Sequence, residues 1–484
     1  MANFLILNWI AIVKNPLFFS SQFINFSRLG LSLLALLLLL VGTNRALGTS
    51  LPQPPNAIAQ SDDEEEDVFP NPLELREPDP LLPDPERPLS EVERRTLDRA
   101  LDELNAQATA EFAAGNVSEA FELWNRELRL RRYTDPVSEI EALGEVGENA
   151  LNEGNFVQLQ LVSARLREIE REQLTLDESD DDEERGRVNL EVLQALGVAY
   201  DRTGNPERAV PLLQQVLEEA RRRQDRRTEE ETLNNLARIS LDALEYAAAA
   251  QAYEDLLGLA KFRKDTESEA QYLQQLAFIY QKMQQQLFPL DRQREIVQRS
   301  IEVRQRLVAI VEQQVTTPDT QAEIVDLRLE IAAHYVNLSR IEREIAAALQ
   351  AENELELADR SLESANTNIG FAEQIYRETY IFSWTLQQFY RASNALTELA
   401  ALYESLDRFS EAVQVYQTQL DVQQLARDRY GIMITYDRMG QIFQVTGAYP
   451  QALQAYQKAL EIARELGDRQ DYFALQIQRL QQRR

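Results

Sequence analysis

The stretch Met433–Leu466 reads Tyr436-x2-Met439-Gly440-x2-Phe443, then Gly447 and Tyr449, then Ala452-x3-Tyr456 and Ala459. This order of large, small and aromatic residues describes two short antiparallel helices packed face to face. Gly440 and Ala452 fall where the two backbones must approach, leaving room for little more than a methyl, and Tyr436, Phe443 and Tyr456 fill the space around them. One such pair cannot bury its own apolar face, so it requires neighbours.

The rest of the chain supplies them. The same register stands 40 residues earlier at Leu396-x2-Leu399-Ala400-x2-Tyr403 with Ala412-x3-Tyr416. It recurs at Leu193-x2-Leu196-Gly197-x2-Tyr200 with Ala209-x3-Leu213, and at Leu233-x2-Leu236-Ala237-x2-Ser240 with Ala249-x3-Tyr253. Leu273-x2-Leu276-Ala277-x2-Tyr280 opens a further copy. Weaker copies lie around Ala108 and Gly147, and a degenerate one at Ile331-Ala332-x2-Tyr335. The small residues that open the copies are separated by 39, 50, 40, 40, 55, 68 and 40 residues. Each long interval holds a readable insertion. The first contains the acidic run Asp177–Glu184, read as a solvated loop because no calcium-loop pattern fits it. The second lengthens the helices around Pro289 and Pro318, and the third is a long helical stretch with an expected break at Asn366–Gly370.

These motifs resemble the tetratricopeptide repeat, W-x2-L-G-x2-Y followed by A-x3-F. The period of 40 exceeds the usual repeat by six residues, roughly 9 Å of helix shared by the pair. That is similar to the longer-helix branch found in kinesin light chains and bacterial peptide-responsive regulators, as are Thr232–Ala237 and Glu461–Asp468. The resemblance implies an all-α, right-handed superhelical solenoid of about eight helix pairs over residues 90–484. Phe473, Leu475, Ile477 and Leu480 then mark a C-terminal cap helix.

Composition agrees with helix nearly throughout. The chain has 484 residues, 16 Gly and no Cys, which excludes disulfides, thiolate nucleophiles and zinc-thiolate sites. A net charge of −30 argues against a nucleic-acid partner, whose phosphates demand a basic face. Arg28 precedes an apolar run from Leu29 to Val41, and Ala57-Ile58-Ala59 follows, the layout of a secretory signal. The uncharged window of 16 residues falls just short of a spanning helix, so residues 1–59 read as a signal peptide or a signal anchor held by residues 29–43. Export to a periplasm, envelope or other extracytoplasmic lumen is expected, with membrane contact only through an uncleaved N-terminus. Ten of the 17 prolines lie between Pro52 and Pro88, beside the run Asp62–Asp67. Residues 60–89 are therefore expected to form an extended, mobile acidic linker.

No catalytic motif is present: there is no phosphate-binding loop, no GxSxG, no HExxH and no dinucleotide fingerprint. No cofactor or metal is expected, and the single His334 reads as structural. The aromatic group from Tyr376 to Tyr390 reads as packing at an irregular junction between repeats. By resemblance, the inner groove is lined by the first helix of each pair, at the second, fifth, ninth and twelfth positions of the repeat. Carried over, these are Asn234, Arg238, Gln271, Gln274, Phe278, Asn394, Thr397, Asp437 and Gln441. Their amides suit an extended backbone, and Arg238 suits a carboxylate. The chain thus reads as a non-enzymatic scaffold that holds a protein or peptide segment, with recognition centred on Asn234 to Phe278. The alternatives are a ligand-peptide-responsive regulator and a helper in envelope polysaccharide or lipid assembly.

Overall fold

Helices follow one another in antiparallel pairs, each pair stacked on the next. The computed structural model describes residues 71–74, 78–82, 87–177, 190–314 and 316–482. The expected signal segment 1–59 and all of the acidic insertion but Asp177 lie outside the described residues. Among those described there are 17 helices and no strands, forming eight pairs and a final single helix. The first pair is α1 (Glu91–Ala113) and α2 (Val117–Arg131), the second α3 (Pro136–Glu153) and α4 (Phe156–Asp177). Then come α5 (Leu190–Arg202) with α6 (Pro206–Arg223), and α7 (Arg226–Asp242) with α8 (Tyr246–Arg263). The fifth and sixth pairs are α9 (Thr266–Met283) with α10 (Leu290–Val311), and α11 (Pro318–Ala351) with α12 (Leu355–Thr385). The last pairs are α13 (Phe389–Ser405) with α14 (Phe409–Ala426), and α15 (Arg429–Val445) with α16 (Tyr449–Leu466). The cap is α17 (Gln470–Gln482), which buries Phe473 and Leu480 against the last pair.

Start and stop signals sit where helix chemistry needs them. Ser90 forms a capping box with Glu93, and the carboxylates of Asp135, Asp225, Asp265 and Asp428 accept from the first-turn amides. Pro136, Pro206 and Pro318 open their helices, where a missing amide hydrogen costs nothing. The turn inside a pair closes on a left-handed residue in one register: Gly204 and Leu244 are 40 apart, as are Asp407 and Gly447. Leu244 and Asp407 adopt φ of 59° and 57° where glycine would be unstrained, so the stack imposes this turn even on an unsuited residue.

Within a pair, contact is closest at the small residue read from the sequence. A Cβ placed on Gly440 would stand 2.8 Å from the ring of buried Tyr456, and one on Gly197 would stand 2.7 Å from Leu213. Both partners lie 16 residues further on, at the aromatic or branched position of the second helix.

Two expectations are corrected. Helix α12 runs unbroken through Asn366–Gly370. Asn368 and Ile369 are buried there, Thr367 returns its hydroxyl to the Glu363 carbonyl, and Gly370 alone costs only about 1 kcal/mol relative to Ala. The long interval is thus filled by two long helices, 34 and 31 residues, with no interruption. The linker, in turn, is held over its described residues. Leu73, Leu82 and Leu89 are buried, the Arg126 guanidinium donates two hydrogen bonds to Asp79 at 2.8 and 2.9 Å, and Arg129 donates to the Pro72 carbonyl at 2.7 Å. Proline forbids helix but not packing, and the spaced leucines give this segment an apolar side to place on the first pair. The described residues from 71 onward belong to the same compact unit as the helices.

The aromatic group lies at the junction of α12 and α13, as expected. Tyr376 is buried, and Trp384 meets Tyr380 and Phe389 with ring centroids 6.2 and 5.4 Å apart. Phe382 lies under the Arg328 guanidinium at 4.9 Å, whereas Tyr390 remains exposed.

Enlarging the contact at Gly440 should loosen the C-terminal end selectively. Gly440→Leu is expected to cost about 1–3 kcal/mol through overpacking against Tyr456. Amide hydrogen exchange should accelerate in α15–α17 and stay unchanged in α1–α4. Unchanged exchange in α15–α17 would contradict the close approach.

Candidate groove on the first helices of the pairs

The first helices of the second, third and fourth pairs, α3, α5 and α7, line a groove. Small residues set its narrow floor: a Cβ on Gly144 would lie 3.2 Å from Ala199, and one on Gly147 would lie 2.4 Å from Thr203. Helix α3 therefore meets the backbone of α5 at Gly144 and the Thr203 side chain just past α5 at Gly147, and the longer side chains project to either side of the seam. Two cavities follow. One, of about 640 Å³, runs the length of α5 beside the N-terminal halves of α3 and α7; the other, of about 710 Å³, lies over the C-terminal halves of the three helices. Val198 and Arg202 of α5 line both.

The lining is acidic. Glu141, Glu145, Glu191, Asp225 and Glu231 face the first cavity, and Glu148, Asp201 and Asp242 face the second. Three guanidiniums oppose these eight carboxylates, and each is already engaged. Arg202 lies 3.8 Å from both Glu145 and Glu148, Arg227 lies 2.8 Å from Glu231, and Arg238 pairs with Asp201 and more loosely with Asp242. Glu141 and Glu191 have no ion pair among the described residues. Asp225 spends its carboxylate on the first turn of α7, and those hydrogen bonds from Thr228 lower its pKa.

The residues expected to bind a partner do not converge. Arg238 lines the second cavity, but its guanidinium is occupied by carboxylates of the chain itself. Asn234 points aside and donates to the Glu230 carbonyl at 2.9 Å; its neighbour Asn235 lines the cavity instead. Gln271, Gln274 and Phe278 are exposed on α9 outside both cavities, with the Lys282 ammonium 5.2 Å from the Phe278 ring centre. Asn394 is exposed on α13, and Thr397 accepts from Gln419 at 2.6 Å. Asp437 is buried and Gln441 half-buried beneath the cap: Tyr472 donates to Asp437 at 3.1 Å, and burial raises the pKa of this carboxyl. The groove lies N-terminal to the expected centre. One signal could have located it, since Glu191 and Glu231 repeat in register, as do Val198 and Arg238.

His334 lies away from the groove, between α10 and the end of α9. Its Nε2 is 3.5 Å from the Gln284 amide nitrogen, and burial with the nearby Arg304 charge pushes its pKa down to about 4. Among the described residues no helix is long and apolar enough to cross a membrane, and no three His, Asp or Glu are grouped to hold a metal ion.

Fold and groove together define an all-α helical-repeat array. Family models described as tetratricopeptide repeat match residues 192–227 and 391–465. These two segments of the chain are tetratricopeptide repeats. No curated protein sequence matches the chain. Solved structures match with low similarity. Aspartyl phosphate phosphatase F from Bacillus subtilis is 14% identical over 68% of this chain and 76% of its own, with a TM-score of 0.32. The apo quorum sensor NprR from B. thuringiensis is 8% identical over 80% and 99%, with a TM-score of 0.25. The TPR2AB domain of yeast Sti1, complexed with pHSP90, is 14% identical over 60% and 98%, with a TM-score of 0.21.

A pH titration separates His334 from the carboxylates. Its folded pKa is below the unfolded value of about 6.5, so its stabilisation is complete above pH 6.5 and is lost as pH falls through 4. Glu127 has the opposite sign: burial raises it to about 7, and its contribution is lost as pH rises through that value. His334→Gln should therefore flatten the loss of stability between pH 6.5 and 4, read by urea unfolding, while leaving the slope near pH 7 unchanged. An unaltered acid limb would contradict this assignment.

Proposed function

We propose that the array holds an extended segment of a partner protein along the groove of α3, α5 and α7, as a non-enzymatic scaffold acting outside the cytoplasm. The observation that carries this reading is the pair of cavities running in line along the first-helix face and meeting at Val198 and Arg202. The shortest wall, α5, is 13 residues, about 20 Å, which accommodates about six residues of extended chain. Walls that carry eight carboxylates and three guanidiniums suit a segment bound through its backbone and charged side chains better than a small apolar ligand. The extracytoplasmic placement is supported by the basic residue, apolar run and Ala57-Ile58-Ala59 of the N-terminal segment.

A photo-crosslinking amino acid in place of Val198 tests both parts when the cells are fractionated after irradiation. The expected product is one recurrent peptide from one partner, found in the extracytoplasmic fraction. The same label at Glu218, exposed on α6, should not yield it. Equal capture from both positions would refute the groove, and product confined to the cytosol would refute export.

A further inference from the structure

We infer that the segment taken by this groove is basic, an extended stretch bearing arginine or lysine at alternate positions. The inference rests on the segment-binding reading above and adds the chemistry of the ligand. Charge alone would say little in a chain with 80 acidic and 50 basic residues. The contrast between concavities says more. The cavity between α12 and α13 sets Glu373 and Asp407 against Arg343 and Arg408, and the one beside α8–α10 sets Glu254 and Glu295 against Arg292 and Arg299. Both are balanced. The groove of α3, α5 and α7 is not: eight carboxylates line it, and its three guanidiniums are all paired within the chain.

The surplus is also open along its length. Glu141 on α3 and Glu191 on α5 are exposed on adjacent walls of the first cavity, with no ion pair among the described residues. Glu145 and Glu148 share the single Arg202 at 3.8 Å, beyond hydrogen-bonding distance, and Glu145 accepts only a long 3.5 Å bond from Asn105 on one oxygen, so both keep lone pairs available to a guanidinium. An incoming arginine can thus pair without breaking an internal bond. An acidic segment would meet the walls at the same positions with like charge, which penalises the wrong partner as strongly as it rewards the right one. Val198 and Ala195 between the carboxylates give the intervening small side chains an apolar seat.

The test uses the full chain and three fluorescein-labelled octapeptides, alternating arginine, glutamine or glutamate with alanine, read by anisotropy. The arginine peptide is expected to bind and the other two not, with affinity falling at least tenfold from 50 to 300 mM salt. E141Q/E191Q should weaken it about tenfold, whereas E218Q/E302Q, which removes two exposed carboxylates from α6 and α10, should not. Equal weakening by the two double variants would overturn the site, since attraction would then come from the acidic surface at large. Equal binding of all three peptides would overturn the charge preference while segment binding stands. Absence of arginine-peptide binding would also overturn the charge preference; the Val198 cross-link then reports separately whether segment binding survives.

Discussion

Five of the eight helix pairs depend on one close approach, where a glycine or alanine on the first helix meets a large side chain 16 residues on. Gly440 faces Tyr456 and Gly197 faces Leu213, with no space for a Cβ between them. Ala108 and Trp124, Ala237 and Tyr253, and Ala400 and Tyr416 occupy the same register. The ring or branched chain spends its area on the opposite backbone, which fixes the pair's separation and leaves its outer faces to the neighbouring pairs. Everything further out, the stacking, the cap and the groove, inherits that spacing.

Stacking is reinforced by a polar stitch that crosses from one pair to the next. Tyr200 donates to Glu170 at 2.5 Å, and Arg208 reaches the same carboxylate at 3.1 Å. Tyr403 donates to Glu373 at 3.0 Å, with Arg408 on that carboxylate and 4.3 Å from the ring centre. Tyr280, Glu254 and Arg299 repeat the arrangement. In each case the tyrosine belongs to a first helix and the glutamate to the second helix before it. Burial and the carboxylate both raise the phenol pKa, so the hydroxyl remains a donor. A buried hydroxyl satisfied in this way fixes register between pairs, which apolar stacking alone leaves free to slide.

The repeat was legible because its constraint is local: a small residue, an aromatic partner and a period of 40 are all written in the linear sequence. The two misread segments failed for physical reasons. Asn366–Gly370 carries turn-forming residues, yet packing against α11 overrides propensity. The proline-rich segment was judged by what proline forbids, while Leu73 and Asp79 found partners 50 or so residues away. The groove was harder still. Counting positions along the repeat places Arg238 on the groove wall but does not reveal the ion pairs that occupy it, and it names Asp437 without the Tyr472 that covers it. Which carboxylates stay unpaired is a property of side chains from three pairs meeting in space, and no single repeat encodes it.

Close packing of α3 on α5 turns that surplus into a groove: where Gly144 lets the backbones touch, the flanking carboxylates line two cavities that meet at Val198 and Arg202. We propose that a partner segment lies along both cavities. It is tested most directly by methyl NMR of the full chain with a spin-labelled arginine–alanine octapeptide. The Val137, Val198 and Ile239 methyls, which line the two cavities, should broaden together, and Leu425, exposed on α14, should not. Broadening that spares Val198, or that spreads evenly over the array, would contradict it.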